Sequence, residues 1–391
     1  MVDLTTAEWT RREDLAQLVA ALGAENLRWV GGAVRDTLLG MPVKDIDAAT
    51  THPPETVMAR LDEAGIRYVP TGLDHGTLTA VLDGGPVEVT TLRKDVATDG
   101  RRATVAFAQD WQDDAARRDF TINALYAHPE TLEISDYFGG LADLEARRVR
   151  FIGDAAERIR EDHLRILRYY RFQARFGSTL DEEGEEGCAA LAPTLKGLSR
   201  ERVAMELLAL LALPDPHETV ERMHQRGVLP VILPETGSEG LERLAALIAA
   251  ESAQGAAPDP IRRLAALLPA EPRTAQQVAA RLRLSNAQRK RLSRLADRDG
   301  PPGDPHILAY REGMDAARDL LLLSGKSIAP LAGWQVPEFP LRGGTIVERG
   351  VGAGPEVARI MQAVERRWLE EGFPGESRVE QMLAEELSAR D

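Results

Sequence analysis

The chain has 391 residues, enough for two to four compact units, and its 43% hydrophobic and 28% charged residues are an ordinary globular balance. A net charge of −14 argues against a nucleic acid gripped by the whole surface, so any such partner needs a local basic strip. The one cysteine, Cys188, excludes an internal disulfide, and no uncharged apolar run approaches the roughly 18 residues of a membrane span. With no signal-peptide pattern in "MVDLTTAEWT", the expectation is a cytoplasmic protein with no membrane partner.

Taken in order, "REDLAQLVAALG" has the three-and-four apolar spacing of a helix closed by glycine. "LRWVGG" reads as a strand ending in a glycine turn, and "AVRDTLLG" as a short helix that Gly40 caps. "KDIDAAT", "GTLTAVL" and "PVEVTTL" read as further strands. From about residue 150 only helix patterns follow, clearest in "REDHLRILRYYRFQARFG", "SRERVAMELLALLALP" and "ETVERMHQRGVLPVILPE". Turn-rich breaks fall at 237–240, 255–260 and 297–305. The expected class is α+β: a small mixed-sheet head, then an all-helical remainder.

Three segments carry candidate chemistry. In the first, a strand–glycine–helix junction at Gly31 and Gly32 lets phosphate oxygens approach backbone N–H groups, and Arg35 is expected to project toward such a ligand. Strand alternation then puts Asp45 and Asp47 on one face, where two carboxylates repel unless a cation lies between them. Mg²⁺, which takes hard oxygen ligands and is shared with phosphates, is the natural cofactor. A bland alternative is a plain turn with solvated edge residues.

The second segment is "ARRDFTINAL", residues 116–125. Arg118, Asp119 and Asn123 reach one site if the chain turns into a helix after Asp119, an arginine suiting phosphate and an asparagine a ribose hydroxyl. Asp119 as a helix N-cap beside a solvated arginine pair is the competing reading. In the third, Asp162, Arg165, Arg168 and Arg171 step around one arc of a helix with no further acid before Asp181, so the row calls for an anionic partner such as a triphosphate. An Asp162/Arg165 pair also matches the donor–acceptor order of cytosine and adenine, and leaves groups unpaired against uracil and guanine.

"GGAVRDTLLG…KDIDAAT", "RRDFTINAL" and "REDHLRILRYYRF" together resemble the class II tRNA nucleotidyltransferases, the CCA-adding enzymes and their poly(A) polymerase relatives in the DNA polymerase beta-like superfamily. The likeness continues more weakly through "RLRLSNAQRKRL" and "FPLRGGTIVERGVGAGPEV". It implies a nucleotidyltransferase head (1–140), a neck (141–205), a body (206–272) and a tail (273–391). It implies Asp45 and Asp47 as Mg²⁺-binding catalytic carboxylates, with Glu88 as a third. Gly31, Gly32, Arg35, Arg118, Asp119 and Asn123 then meet the nucleotide, Asp162 and Arg165 read the base, and Arg168 and Arg171 make further contacts.

The implied reaction is attack of a tRNA 3′ hydroxyl on the α-phosphate of CTP or ATP. Residues 273–298 hold eight Arg or Lys and one acid, and the resemblance makes Arg289, Lys290, Arg291 and Arg294 the candidate tRNA contacts. A loop said to be missing from CC-adding members is filled here by residues 93–111, which leans toward addition of the terminal A. Its "TDGR" spans 98–101, and the proline often found after such arginines is absent. No "HD" dipeptide occurs, so the phosphohydrolase domain of some relatives is not expected.

Overall fold

Strands form where β-branched and aromatic residues alternate between two glycine-rich turns, and helices take over once that alternation ends. The computed structural model describes residues 3–99, 102–108, 110–177, 179–298 and 303–389. Among them the strands are β1 (Leu27–Val30), β2 (Ile46–Thr50), β3 (Tyr68–Gly72), β4 (Thr77–Leu82), β5 (Gly85–Thr91), β6 (Arg93–Asp99), β7 (Arg102–Phe107), β8 (Leu125–Ala127) and β9 (Ile134–Asp136). Seven make a mixed sheet in the order β3-β4-β5-β2-β1-β8-β9, in which only β2 and β5 run parallel. β6 and β7 form a separate antiparallel pair over the interval read as a loop, and the Gly100 and Arg101 of "TDGR" lie outside the described residues.

The first helices are α1 (Glu13–Leu22), α2 (Gly32–Leu38), α3 (Pro54–Glu63), α4 (Trp111–Ala116), α5 (Gly140–Glu145), α6 (Ala155–Glu161), α7 (Arg165–Phe176), α8 (Glu182–Leu191) and α9 (Arg200–Leu211). α2 ends as expected: Gly40 sits at φ +67°, its N–H bonds to the Thr37 carbonyl at 2.9 Å, and Met41 N–H returns to Asp36 at 2.8 Å. That left-handed close satisfies two orphan carbonyls and returns the chain toward β2. Asp162 does not continue the α7 helix; it sits at φ −148°, in the break between α6 and α7.

Phe120 joins the sheet to α7. Its ring packs 4.9 Å from Phe151 and 5.3 Å from Phe172, and Phe151 stacks 5.6 Å from Tyr169. All four rings are buried, and aromatic pairs of this kind contribute about 1 kcal/mol each beyond their buried area. The segment holding Arg118 and Asp119 is thereby fixed against the arginine-bearing helix.

The helices continue as α10 (His217–Gln225), α11 (Leu229–Ile232), α12 (Ser238–Ala253), α13 (Pro260–Leu267), α14 (Pro272–Arg281), α15 (Asn286–Ala296), α16 (Pro305–Glu312), α17 (Met314–Leu323), α18 (Gly343–Glu348), α19 (Pro355–Glu370) and α20 (Glu376–Ser388). The chain divides into two compact units, the first holding Met1–Leu241, Pro258–Pro260 and Gln277–Ser285, the second the rest. The second has its own core of Ile360, Val364, Trp368, Val379 and Met382, and a buried ion cluster in which Glu251 takes Arg262 and Arg263 while Asp319 takes Arg262 and Arg291. No described helix is long and apolar enough to cross a membrane.

Candidate active site

A cavity of about 670 Å³ opens within the first unit where β1, β2 and β5 face α7. Register builds its floor. Val30 pairs with Asp47 across β1 and β2, and Asp47 pairs with Glu88 across the parallel β2 and β5, so the two carboxylates share a face. Asp45 stands one residue before β2 and lines the same cavity. Burial, the Glu88 charge and the Asp45 charge push Asp47 up to about 6 against the opposing pull of Arg118. Among the described residues no cluster of three or more His, Cys, Asp or Glu side chains is gathered closely enough to hold a metal. Asp45, Asp47 and Glu88 all line the cavity, with Asp47 and Glu88 paired on neighbouring strands.

Gly31, at φ +65°, makes the turn that a side chain would strain, and a Cβ there would meet Arg118 Nη1 at 3.4 Å. Arg35 lines the cavity but does not project freely into it, which corrects the expectation. It is 4% exposed, bonds through Nε to Asp36 (2.7 Å) and through Nη1 to Asn123 (2.5 Å), and lies against the rings of Phe172 and Phe176. Helical spacing aims it there, and the two phenylalanines of α7 clamp it.

Asp119 is no solvated N-cap. Buried, it accepts from Asn123 Nδ2 (3.0 Å) and from Arg168 Nε (2.7 Å), and against the burial penalty Arg168, Asn123 and the Phe120 N–H together hold its carboxyl below the usual range. Nor is the arginine row unbalanced. Arg168 and Arg171 share Glu206 of α9, Arg175 takes Asp36 at 3.0 Å, and Arg165 takes Glu161 at 2.6 Å. Glu206 and Asp36 come from distant elements, where a search at i±4 misses them, while Glu161 stands four residues before Arg165, across the break between α6 and α7. An unbroken chain results: Arg175, Asp36, Arg35, Asn123, Asp119, Arg168, Glu206, Arg171.

Asp162 and Arg165 both line the cavity, and each side chain has partners of its own. Asp162 accepts from Arg202 Nη2 (2.7 Å) and from Leu164 N–H (3.1 Å). Arg165 donates to the carbonyls of Arg158 (2.9 Å) and Arg117 (3.0 Å) as well as to Glu161. The pair is pre-set by its surroundings. Arg202 and Glu206 carried no sequence signal, because each acts on a residue of another helix or motif, whereas Asp36 and Glu161 stand inside the quoted motifs, next to Arg35 and four residues before Arg165.

In the second unit Arg289, Lys290 and Arg294 line another cavity, of about 740 Å³. Arg291 is turned away from the strip to Asp319 on α17 (2.7 Å), and Arg294 is paired with Glu312 on α16. Both corrections have one cause: acids on neighbouring helices take up the charge. Arg289 and Lys290 have no ion-pair partner among the described residues.

Residues 27–150 match the poly A polymerase head domain, and 177–239 match the probable RNA and SrmB-binding site of polymerase A. The CCA tRNA nucleotidyltransferase 1, mitochondrial, of Mus musculus is 36% identical over 384 residues, covering 92% of this chain and 87% of its own length. The chain belongs to the CCA-adding tRNA nucleotidyltransferase family. A CCA-adding enzyme of Streptococcus sanguinis is 40% identical over 219 residues, 55% of this chain and 54% of its own. The crystal structure of the family member from Bacillus stearothermophilus, in complex with CTP, has a TM-score of 0.76 at 27% identity and covers 97% of this chain and 99% of its own. The family's nucleotidyl chemistry requires a divalent metal, and the oxygen donors that line this cavity, Asp45, Asp47 and Glu88, are of the hard type such an ion takes.

Proposed function

We propose that this chain completes the 3′ end of tRNA, adding C and A from CTP and ATP and releasing pyrophosphate. The observation that carries the reading is the single cavity in which Asp45, Asp47 and Glu88 face Arg118, Asp162, Arg165 and Arg168. In this reading Asp45 and Asp47 hold Mg²⁺, with Glu88 beside them; bound there, the ion offsets phosphate charge and lowers the cost of ionising an attacking hydroxyl. Gly31 and Gly32 leave room for phosphate oxygens. Arg118 and the α7 arginines supply donors, exchanging part of their carboxylate pairing for phosphate. The 3′ oxygen of the tRNA bonds to the α-phosphorus, the bond to the pyrophosphate leaving group breaks, and the hydroxyl proton is lost to a base.

Asp162 accepts from the exocyclic amine of C or A, and Arg165 donates to the adjacent ring nitrogen. Replacing Arg165 with alanine should relax the choice among C, A, U and G by roughly tenfold or more, read as single-nucleotide incorporation from each triphosphate. Unaltered selectivity would sink the template role.

The same reading divides the chain into head (1–140), neck (141–205), body (206–272) and tail (273–391), with Arg289 and Lys290 as the tail residues best able to meet RNA phosphates. The compartment is read as cytoplasmic: one buried thiol, Cys188, suits a reducing environment, although the mouse relative is named as mitochondrial. The deciding experiment uses tRNA transcripts ending at the discriminator base, at C and at CC, with Mg²⁺ and CTP, ATP or both. Extension of the bare transcript to CCA supports full CCA addition. Extension of the CC-ended transcript alone would make it an A-adding enzyme, a stop at CC a CC-adding one, and an untemplated A tail a poly(A) polymerase.

A further inference from the structure

Arg118 stands in the cavity wall, yet the groups that aim it belong to the core behind. Its Nε donates to the Tyr126 hydroxyl at 2.8 Å. Its other protein contacts are long: Nη1 to the Asn123 carbonyl at 3.3 Å and Nη2 to Asp114 Oδ2 at 3.4 Å. The Tyr126 ring lies 5.1 Å from the guanidinium carbon. The one short hydrogen bond therefore comes from a residue of β8 that touches no part of the cavity.

Tyr126 is itself fixed. Wholly buried, it donates its proton to Asp114 Oδ2 at 2.6 Å. Asp114, 1% exposed on α4, is anchored without Arg118's help: Arg117 donates to it through Nε (2.9 Å) and Nη2 (2.7 Å), and Arg93 through its backbone N–H (3.1 Å). A phenol that both donates and accepts must keep its proton. Burial pushes Tyr126 up, while Arg118 and Arg117 outweigh the burial of Asp114 and hold it near 2, so the polarity of the relay is set across the working pH range.

We propose that Tyr126 is a positioning residue for the nucleotide: its hydroxyl, braced by Asp114, holds Arg118 beside the Gly31 turn. The inference rests on the proposed role of Arg118 in meeting the nucleotide and goes beyond it by naming what aims that arginine. Without the hydroxyl, Arg118 keeps only the neutral Asn123 carbonyl at 3.3 Å and the charged Asp114 Oδ2 at 3.4 Å, and the stronger pull of the carboxylate shifts the guanidinium from its place beside Gly31. The arginine stays charged and folded but points elsewhere.

The test is a double-mutant cycle on CTP binding by the full chain, measured by equilibrium dialysis with Mg²⁺ and no tRNA. Tyr126→Phe should raise the CTP Kd about tenfold, and Arg118→Ala at least as much. In the Arg118→Ala background, Tyr126→Phe should add less than twofold. Tyr137→Phe, a neighbouring ring 6.1 Å from Tyr126, controls for packing and should leave the Kd within twofold of the unmutated chain. Equal losses from Tyr126→Phe in both backgrounds, or a Kd within twofold for Tyr126→Phe alone, would overturn the positioning role. Should Tyr126→Phe fail to fold, Tyr126→Met, which also removes the hydroxyl, replaces it in the same cycle, with the same two outcomes deciding. If the unmutated chain bound no CTP, the proposed function would fall first; binding with an additive cycle ends the Tyr126 role alone.

Discussion

Asp47→Asn should abolish nucleotide addition and, in the same protein, raise stability at neutral pH. Loss of the carboxylate proposed to hold the metal is expected to lower turnover by on the order of 10³-fold or more. The stability gain follows from proton linkage. Burial pushes Asp47 up to about 6 in the fold from the ordinary 3.8, so between those values the folded chain binds more protons than the unfolded one. Stability falls as pH rises through that window and stays low above it. The charged carboxylate thus costs up to about 3 kcal/mol at pH 7 without metal, and an uncharged isostere removes that cost. Denaturation of both proteins in EDTA at pH 4 and pH 7.5 checks it. The difference should be near zero at the lower pH and clear at the higher, and saturating Mg²⁺ should narrow it by stabilising only the unmutated chain. Equal stability at both pH values would remove the case for a strained carboxylate group.

Asp119→Ala should unfold the chain more easily by about 3 kcal/mol, because it leaves Arg168 without its closest charge partner in a mostly buried setting. Asn123 loses an acceptor in the same step, and with it the support of Arg35. Denaturant titration measures the loss, and a change under 0.5 kcal/mol would mean that Glu206 alone balances Arg168. Asp119→Asn, which keeps an acceptor oxygen, should lose less. A smaller loss for the alanine than for the asparagine would contradict the hydrogen-bonded account.

The contrast between Asp47 and Asp119 also shows what was legible. Asp47 was visible because β alternation and the neighbouring Asp45 put its chemistry in five consecutive letters. Asp119 was visible as a polar residue in an apolar frame, but not what it does. Its partner Arg168 lies 49 positions away, and only packing of Phe120 against Phe172 brings the two together. Arg35 was legible as a residue near the turn and misjudged in direction, since the rings that clamp it sit on α7.

β1, β2, β4, β5 and α1 lie close to their expected places, because the period-two and three-and-four spacings that mark them are local properties. β8 is three buried residues long, too short for any alternation to show, and it carries Tyr126. The arginine row on α7 was correct as a row and wrong as an unbalanced one.

By itself the sequence determined the α-then-β opening, the helical remainder, the three motifs and the family they resemble, since each rests on neighbours within one or two turns of chain. The tertiary structure alone decided which acid balances which arginine, that Asp162 leaves the helix, that Arg291 serves a buried cluster, and that a tyrosine in the core aims Arg118. Charge pairing acts through space over a few ångströms, while the pairs in question lie up to 139 residues apart along the chain.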